Sequence, residues 1–111
     1  MNYDVKIDKY GNKRYYVNNI LHWEDGPAVE GVGEKHWFKN GKRHREDGPA
    51  VEWANGTKFW YKDGKKQRKD GPAVEYANGY RDWWYNGKYF GSNNDFTNKS
   101  WQKFVKTLIF S

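Results

Sequence analysis

The sequence predicts a mainly β protein built of stacked antiparallel hairpins and closed by one C-terminal amphipathic helix. Three observations carry that prediction. The string DGPAVE occurs at 25–30, 47–52 and 70–75, a repeat of 22–23 residues. Tight-turn dipeptides fall at fixed places between those strings and leave no room for intervening helices. After residue 91 the pattern changes to the periodicity of one helical face.

Each repeat reads as strands separated by turns. In Asp-Gly-Pro the glycine is expected to take a positive φ, the proline to fix the next φ, and the aspartate to accept from backbone amides beyond itself. Ala-Val-Glu then begins a strand. Asn55-Gly56 and Asn78-Gly79 make a second turn, an aromatic run such as Phe59-Trp60-Tyr61 makes a second strand, and Asn40-Gly41, Asp63-Gly64 and Asn86-Gly87 signal two-residue hairpins. The match extends through GEKHWFKNGKRHR, GTKFWYKDGKKQR and GYRDWWYNGKYFG, with GNKRYYVNNILHW as a degenerate first copy. About four copies of roughly three short strands follow. Such a unit cannot bury its own apolar face alone, so it stacks on its neighbours.

Aligned copies give columns. Tyr15, Trp37, Trp60 and Trp83 share one, and Tyr16, Phe38, Tyr61 and Trp84 share the next. Adjacent strand positions face opposite sides, so one aromatic ladder is expected on each face. Ala28, Ala50 and Ala73, with Val29, Val51 and Val74, are small enough to pack beneath the rings.

The array spans 1–91 and the capping segment 92–111, within one domain. Trp101, Phe104, Val105, Leu108 and Ile109 recur on one helical face, opposite Lys99, Gln102, Lys103 and Lys106. A helix over 98–109 is therefore expected, with Thr97 as N-cap and Phe96 against Trp101. At the other end Tyr3, Val5 and Ile7 alternate as a half-copy strand, either a cap or an edge open to a second copy.

Composition supports a folded chain with a thin core. Mean hydropathy is −1.25, yet 20% of residues are aromatic, which disordered chains are not. There is no cysteine, hence no disulfide or thiolate metal site. No signal-like start or membrane-length apolar run is present, and the expected location is the cytoplasm.

No catalytic constellation stands out. Serine occurs only at 92, 100 and 111, outside the array and outside any nucleophile motif. His22 and His44 share a column with Gln67. Adjacent imidazoles suit metal or acid–base work, but Gln67 replaces them without disturbing the motif, which favours a hydrogen bond to the following Glu-Asp-Gly-Pro turn. His36 aligns with Phe59 and reads as a surface substitution. Asp25, Asp47 and Asp70 read as turn residues, and Glu30, Glu52 and Glu75 as a column offset by neighbouring cations. No cofactor or metal is expected, and GVGEKHW lacks the spacing of a phosphate loop.

Charge is concentrated. Residues 31–69 hold eleven basic and five acidic residues, whereas the rest holds nine of each, so the central repeats carry the whole net charge of +6. Lys39, Lys42, Arg43 and Arg45 in one repeat align with Lys62, Lys65, Lys66 and Arg68 in the next, which stacking turns into a basic ridge. Tyr76, Tyr80, Tyr85, Tyr89 and Phe90 depart from the repeat and are the candidate aromatic contact surface.

The string NGKRHREDGPAVEWANGTKFWYKDGK resembles the "NGKxHREDGPA" repeat proteins of tailed bacteriophages and large DNA viruses, which look like relatives of MORN-type β-hairpin repeats; the likeness covers about 10–91. The resemblance implies stacked hairpins, viral origin and a binding role, and supplies no catalytic residues. The expected function is a non-enzymatic host-takeover or anti-defence factor that binds and occludes a host protein. The alternative is sequestration of an anionic ligand, a nucleic acid or signalling nucleotide, on the ridge and the rings.

Overall fold

The computed structural model describes residues 2–110. It is a flat body of 44 × 32 × 18 Å, as expected of a stack of single hairpins. The first copy contributes β1 (Asp4–Ile7), β2 (Lys13–Val17) and β3 (Ile20–Leu21). The second contributes β4 (Val29–Glu30), β5 (Glu34–His36), β6 (Phe38–Lys39) and β7 (Lys42–Arg43), and the third β8 (Val51–Trp53), β9 (Lys58–Phe59), β10 (Tyr61–Lys62) and β11 (Lys65–Lys66). The last contributes β12 (Val74–Glu75), β13 (Arg81–Tyr85) and β14 (Lys88–Ser92), followed by helix α1 (Asn98–Ile109).

A ten-stranded antiparallel sheet runs β1-β2-β4-β5-β8-β9-β12-β13-β14, with β3 paired to β2. Beside it β6-β7 and β10-β11 form separate two-stranded hairpins. The aromatic strand of each middle copy is thus split at Trp37 and Trp60. The cause is a change of partner: Trp37 N–H donates forward to the Ala50 carbonyl (2.8 Å), while its own carbonyl accepts from His44 N–H (3.1 Å). Trp60 does the same with Ala73 (2.7 Å) and Gln67 (3.1 Å).

The hairpin turns are as expected. Asn40-Gly41, Asp63-Gly64, Asn86-Gly87 and the first copy's Asn18-Asn19 all have positive φ at both positions, the geometry that matches strand twist. Each tip is tied to the preceding hairpin, because Gly41, Gly64 and Gly87 N–H donate to the carbonyls of Leu21, Arg43 and Lys66 at 2.8–2.9 Å.

The Asp-Gly-Pro corners differ from expectation. Gly26, Gly48 and Gly71 are not in the positive-φ region, in keeping with the extended bias that proline imposes on its predecessor. Glycine is required there by close approach. A Cβ would stand 3.3 Å from the Trp23 ring at Gly26 and 3.1 Å from the Arg45 and Arg68 guanidinium carbons at Gly48 and Gly71. Nor do Asp25, Asp47 and Asp70 accept from backbone amides among the described residues; Asp47 instead lies 3.4 Å from Arg45 Nε.

The core is small. Ala28, Ala50, Ala73, Val51 and Val74 are buried in the repeat interior, and Trp83, Trp101 and Val105 form the cluster beneath α1. The helix has the expected bounds, with the Thr97 hydroxyl accepting from Ser100 N–H at 3.0 Å and Phe96 packed on Trp101 at 4.9 Å. Burying an indole removes about 200 Å² from water, roughly 5 kcal/mol of gross stabilisation at about 25 cal/mol per Å². At 12 residues α1 is too short to cross a membrane, and no helix among the described residues is long and apolar enough to do so.

Candidate functional site

The two aromatic columns lie on opposite faces, and cations cover each in a different way. On the first face Arg45 lies flat over Trp37 at 3.9 Å and Arg68 over Trp60 at 3.8 Å. The same guanidinium reaches the corner that follows. Arg45 Nη1 donates to the Pro49 carbonyl (3.1 Å) and Glu52 (3.2 Å), and Arg68 Nη1 to Pro72 (3.1 Å) and Glu75 (2.8 Å). A planar, multiply donating cation is suited to this place, and a lysine is not. In the first copy Trp23 takes the position and stacks on Tyr15 at 4.2 Å. Arg45 and Arg68 therefore belong to the scaffold, together with Glu52 and Glu75.

The histidine column is likewise structural. The Nδ1 atoms of His22 and His44 accept from the N–H of Asn40 and Asp63 in the next hairpin, both at 3.0 Å. Nε2 therefore carries the proton, donating to Glu24 at 3.3 Å and Glu46 at 2.6 Å. The bond to the following turn is as the sequence suggests; the bond that locks one repeat to the next is additional. The bond from His44, and after it one from Lys62 at 3.2 Å, hold the Glu46 carboxyl below the usual carboxylate range.

His36 corrects an expectation. It is 8% exposed, edge-on to Trp53 at 5.8 Å and near Glu34 at 3.5 Å. Its column faces the second aromatic ladder, where its column mate Phe59 is half-buried. Burial pushes its pKa below the ordinary imidazole value; Glu34 opposes that shift and Arg43 adds to it.

On the second face cations alternate with rings. Arg43 lies 5.4 Å from Phe38 and 5.9 Å from Tyr61, and Lys66 lies 4.5 Å from Trp84. Their stems half-cover a ladder that would otherwise be an open apolar stripe. The hairpin register places Lys39 opposite Lys42 and Lys62 opposite Lys65, so these four share the other face. The basic ridge is thus divided by the pleat. Lys62 is neutralised by Glu46 at 3.2 Å. The Lys42 and Lys65 stems lie along the Gly64 and Gly87 tips of the next hairpins, 3.6 Å and 3.5 Å from where a Cβ would stand. Lys88 occupies the same column and lengthens the row, a residue that the repeat alignment already contained.

The predicted aromatic surface separates into three places. Tyr76 and Tyr80 are exposed, 6.1 Å apart, beside the turn leading into β13. Tyr89, on β14, is exposed opposite Trp84 of β13. Tyr85 and Phe90 are half-buried against the cluster under α1, with Phe90 5.0 Å from Phe104, so they serve the cap. The outer edge of β1 pairs with no strand among the described residues, and Val5 and Ile7 are exposed there.

Grooves lie between successive corners. The first is lined by Glu24–Pro27 with Trp37, Lys39 and His44–Asp47 and encloses 660 Å³; the second, by Arg45–Pro49 with Trp60, Lys62 and Gln67–Asp70, encloses 460 Å³. These linings correspond under the repeat, save that Arg45 of the second groove has its column mate, Trp23, outside the first. At the hairpin tips a third, shallower depression of 390 Å³ is lined by Tyr61, Gly64, Lys65, Lys66, Trp84, Asn86 and Gly87. Compared with protein-family models, with curated proteins and with solved structures, the chain has no significant match in any of the three.

Proposed function

We propose that the chain is a non-enzymatic binding protein that engages and occludes a partner protein through the outer cations of its hairpin row. The observation that carries this reading is the tip depression: Lys65 and Lys66 lie there with Tyr61 and Trp84, and no carboxylate lines it. Elsewhere Arg45, Lys62 and Arg68 are matched by Glu52, Glu46 and Glu75. Unmatched cations beside rings suit an acidic protein surface, the charge speeding encounter and the rings supplying contact area. On the resemblance of its repeat to viral repeat proteins, the proposed partner is a host protein and the proposed role takeover or anti-defence.

The same depression also supports the second reading, an anionic ligand, since cations neutralise phosphates and rings stack on bases. One experiment separates the two. Tagged protein and its Lys65→Glu/Lys66→Glu variant are used to capture partners from nuclease-treated cell lysate, and both are titrated with a single-stranded oligonucleotide. A stoichiometric protein retained by the wild type and lost by the variant supports protein binding. Saturable oligonucleotide binding that falls steeply with salt replaces it with the anionic-ligand reading, and retention unchanged in the variant removes the ridge from both.

A further inference from the structure

The corner-and-hairpin groove occurs three times, and in the third interval the chain fills it with its own helix. There the corner is Lys69–Pro72 and the facing residues are Trp83, Tyr85 and Phe90, the column mates of Trp60, Lys62 and Gln67. The Trp101 indole sits against Trp83 at 5.5 Å and donates from Nε1 to the Arg68 carbonyl at 2.7 Å. Gln102 donates to the Asp70 carbonyl at 3.5 Å. Gly71 and Pro72 are buried under this contact, whereas Gly48 and Pro49 in the preceding copy are only half-buried.

We propose that the second-interval groove is a docking site for an amphipathic helix of a partner protein, anchored by an aromatic side chain and flanked by carboxylates. The corresponding carbonyls, those of Arg45 and Asp47, accept no hydrogen bond from any described residue, so both acceptors that seat α1 in the third interval are available in the second. One wall differs. Trp60 is covered by Arg68, while the column mate of Arg68 beside Trp83 is Gly91. An incoming ring therefore stacks on a guanidinium plane instead of a bare indole, an arrangement arginine supports.

Charge selects the occupant. Arg45, Lys62 and Arg68 are already paired with Glu52, Glu46 and Glu75, and Lys69 is the lining cation that has no carboxylate partner among the described residues. A second copy's α1 does not fit: it carries Lys99, Lys103 and Lys106 with no acidic residue, and its apolar face already covers Trp83. The first-interval groove has an acidic balance, with Glu24, Asp25, Glu46 and Asp47 against Lys39 and Arg45. Only the second groove suits a carboxylate-flanked helix.

The site is distinct from the hairpin tips, so the two proposals fail separately. The probe is a synthetic peptide spanning residues 96–110 with its three lysines replaced by glutamate, titrated into the isotope-labelled full chain and followed by NMR. Saturable shifts are expected at Arg45–Gly48, Gln67–Asp70 and the Trp60 indole. Replacing the peptide's tryptophan with alanine weakens binding tenfold or more, as does Lys62→Glu/Lys69→Glu in the protein, checked for an unchanged circular dichroism spectrum. Lys65→Glu/Lys66→Glu leaves it within twofold. Shifts confined to Trp83 and α1, to the first groove or to the hairpin tips overturn the proposal, as does the lack of saturable binding at millimolar peptide.

Discussion

Trp60 and Trp83 occupy the same column and are covered by opposite chemistry. Trp60, inside the stack, lies under Arg68, whose guanidinium also bonds Pro72 and Glu75. Trp83, at the end, lies under Trp101, Phe96 and α1. The difference shows how position in a stack dictates the covering group. Inside, the next corner supplies a carbonyl and a carboxylate for a planar cation to bridge. At the end no further corner follows, and only an apolar element closes the face.

The largest effect is expected at the end. Trp101→Ala removes a fully buried indole from the cluster and leaves the Arg68 carbonyl without its donor; it should cost about 3–5 kcal/mol in urea unfolding. Loss of less than about 1 kcal/mol would show that the stack stands without its cap.

Inside the stack the expected loss is smaller. Arg68→Ala uncovers Trp60 and leaves Glu75 and the Pro72 carbonyl unpaired, in a site where the arginine side chain is 24% exposed. About 2 kcal/mol is expected. Arg68→Lys keeps the charge without the plane and should restore less than half; full rescue would reduce the clamp to simple charge pairing.

The smallest effect is a dependence on pH. The folded state holds His36 below its ordinary value, so the unfolded chain takes up the proton first as pH falls. Its contribution is complete above about pH 6.5 and is lost as pH falls through the folded value. His36→Phe, which installs its column mate, should flatten that part of the stability–pH curve. An unchanged curve would assign the dependence to carboxylates such as Glu46, whose lowered value acts in the same direction at more acidic pH.

Much of the architecture is legible in the residues. Paired positive-φ tips follow from Asn-Gly and Asp-Gly because few other residue pairs tolerate that backbone. Helix α1 follows from its apolar spacing and Thr97. The role of Gly48 is not legible, because the constraint on it comes from Arg45, a side chain packed against it in space. The basic ridge shows the same limit. Alignment finds its eight members, but only the register assigns Arg43 and Lys66 to one face and Lys62 and Lys65 to the other. Tyr85 and Phe90 depart from the repeat pattern as a contact surface would, yet the surface they contact is the chain's own helix.

What the sequence determined by itself is local and periodic: turn positions, strand order within a copy, the two aromatic columns and the helix that ends them. These depend on backbone preference and on spacing, which each segment carries with it. What the tertiary structure alone decided is which charged groups are used up and which remain. Arg45 and Lys65 are both cations at repeat-defined positions. Arg45 is bonded to Pro49 and Glu52, and Lys65 is left beside rings in a depression with no carboxylate, because pairing depends on distances across copies that no single copy contains.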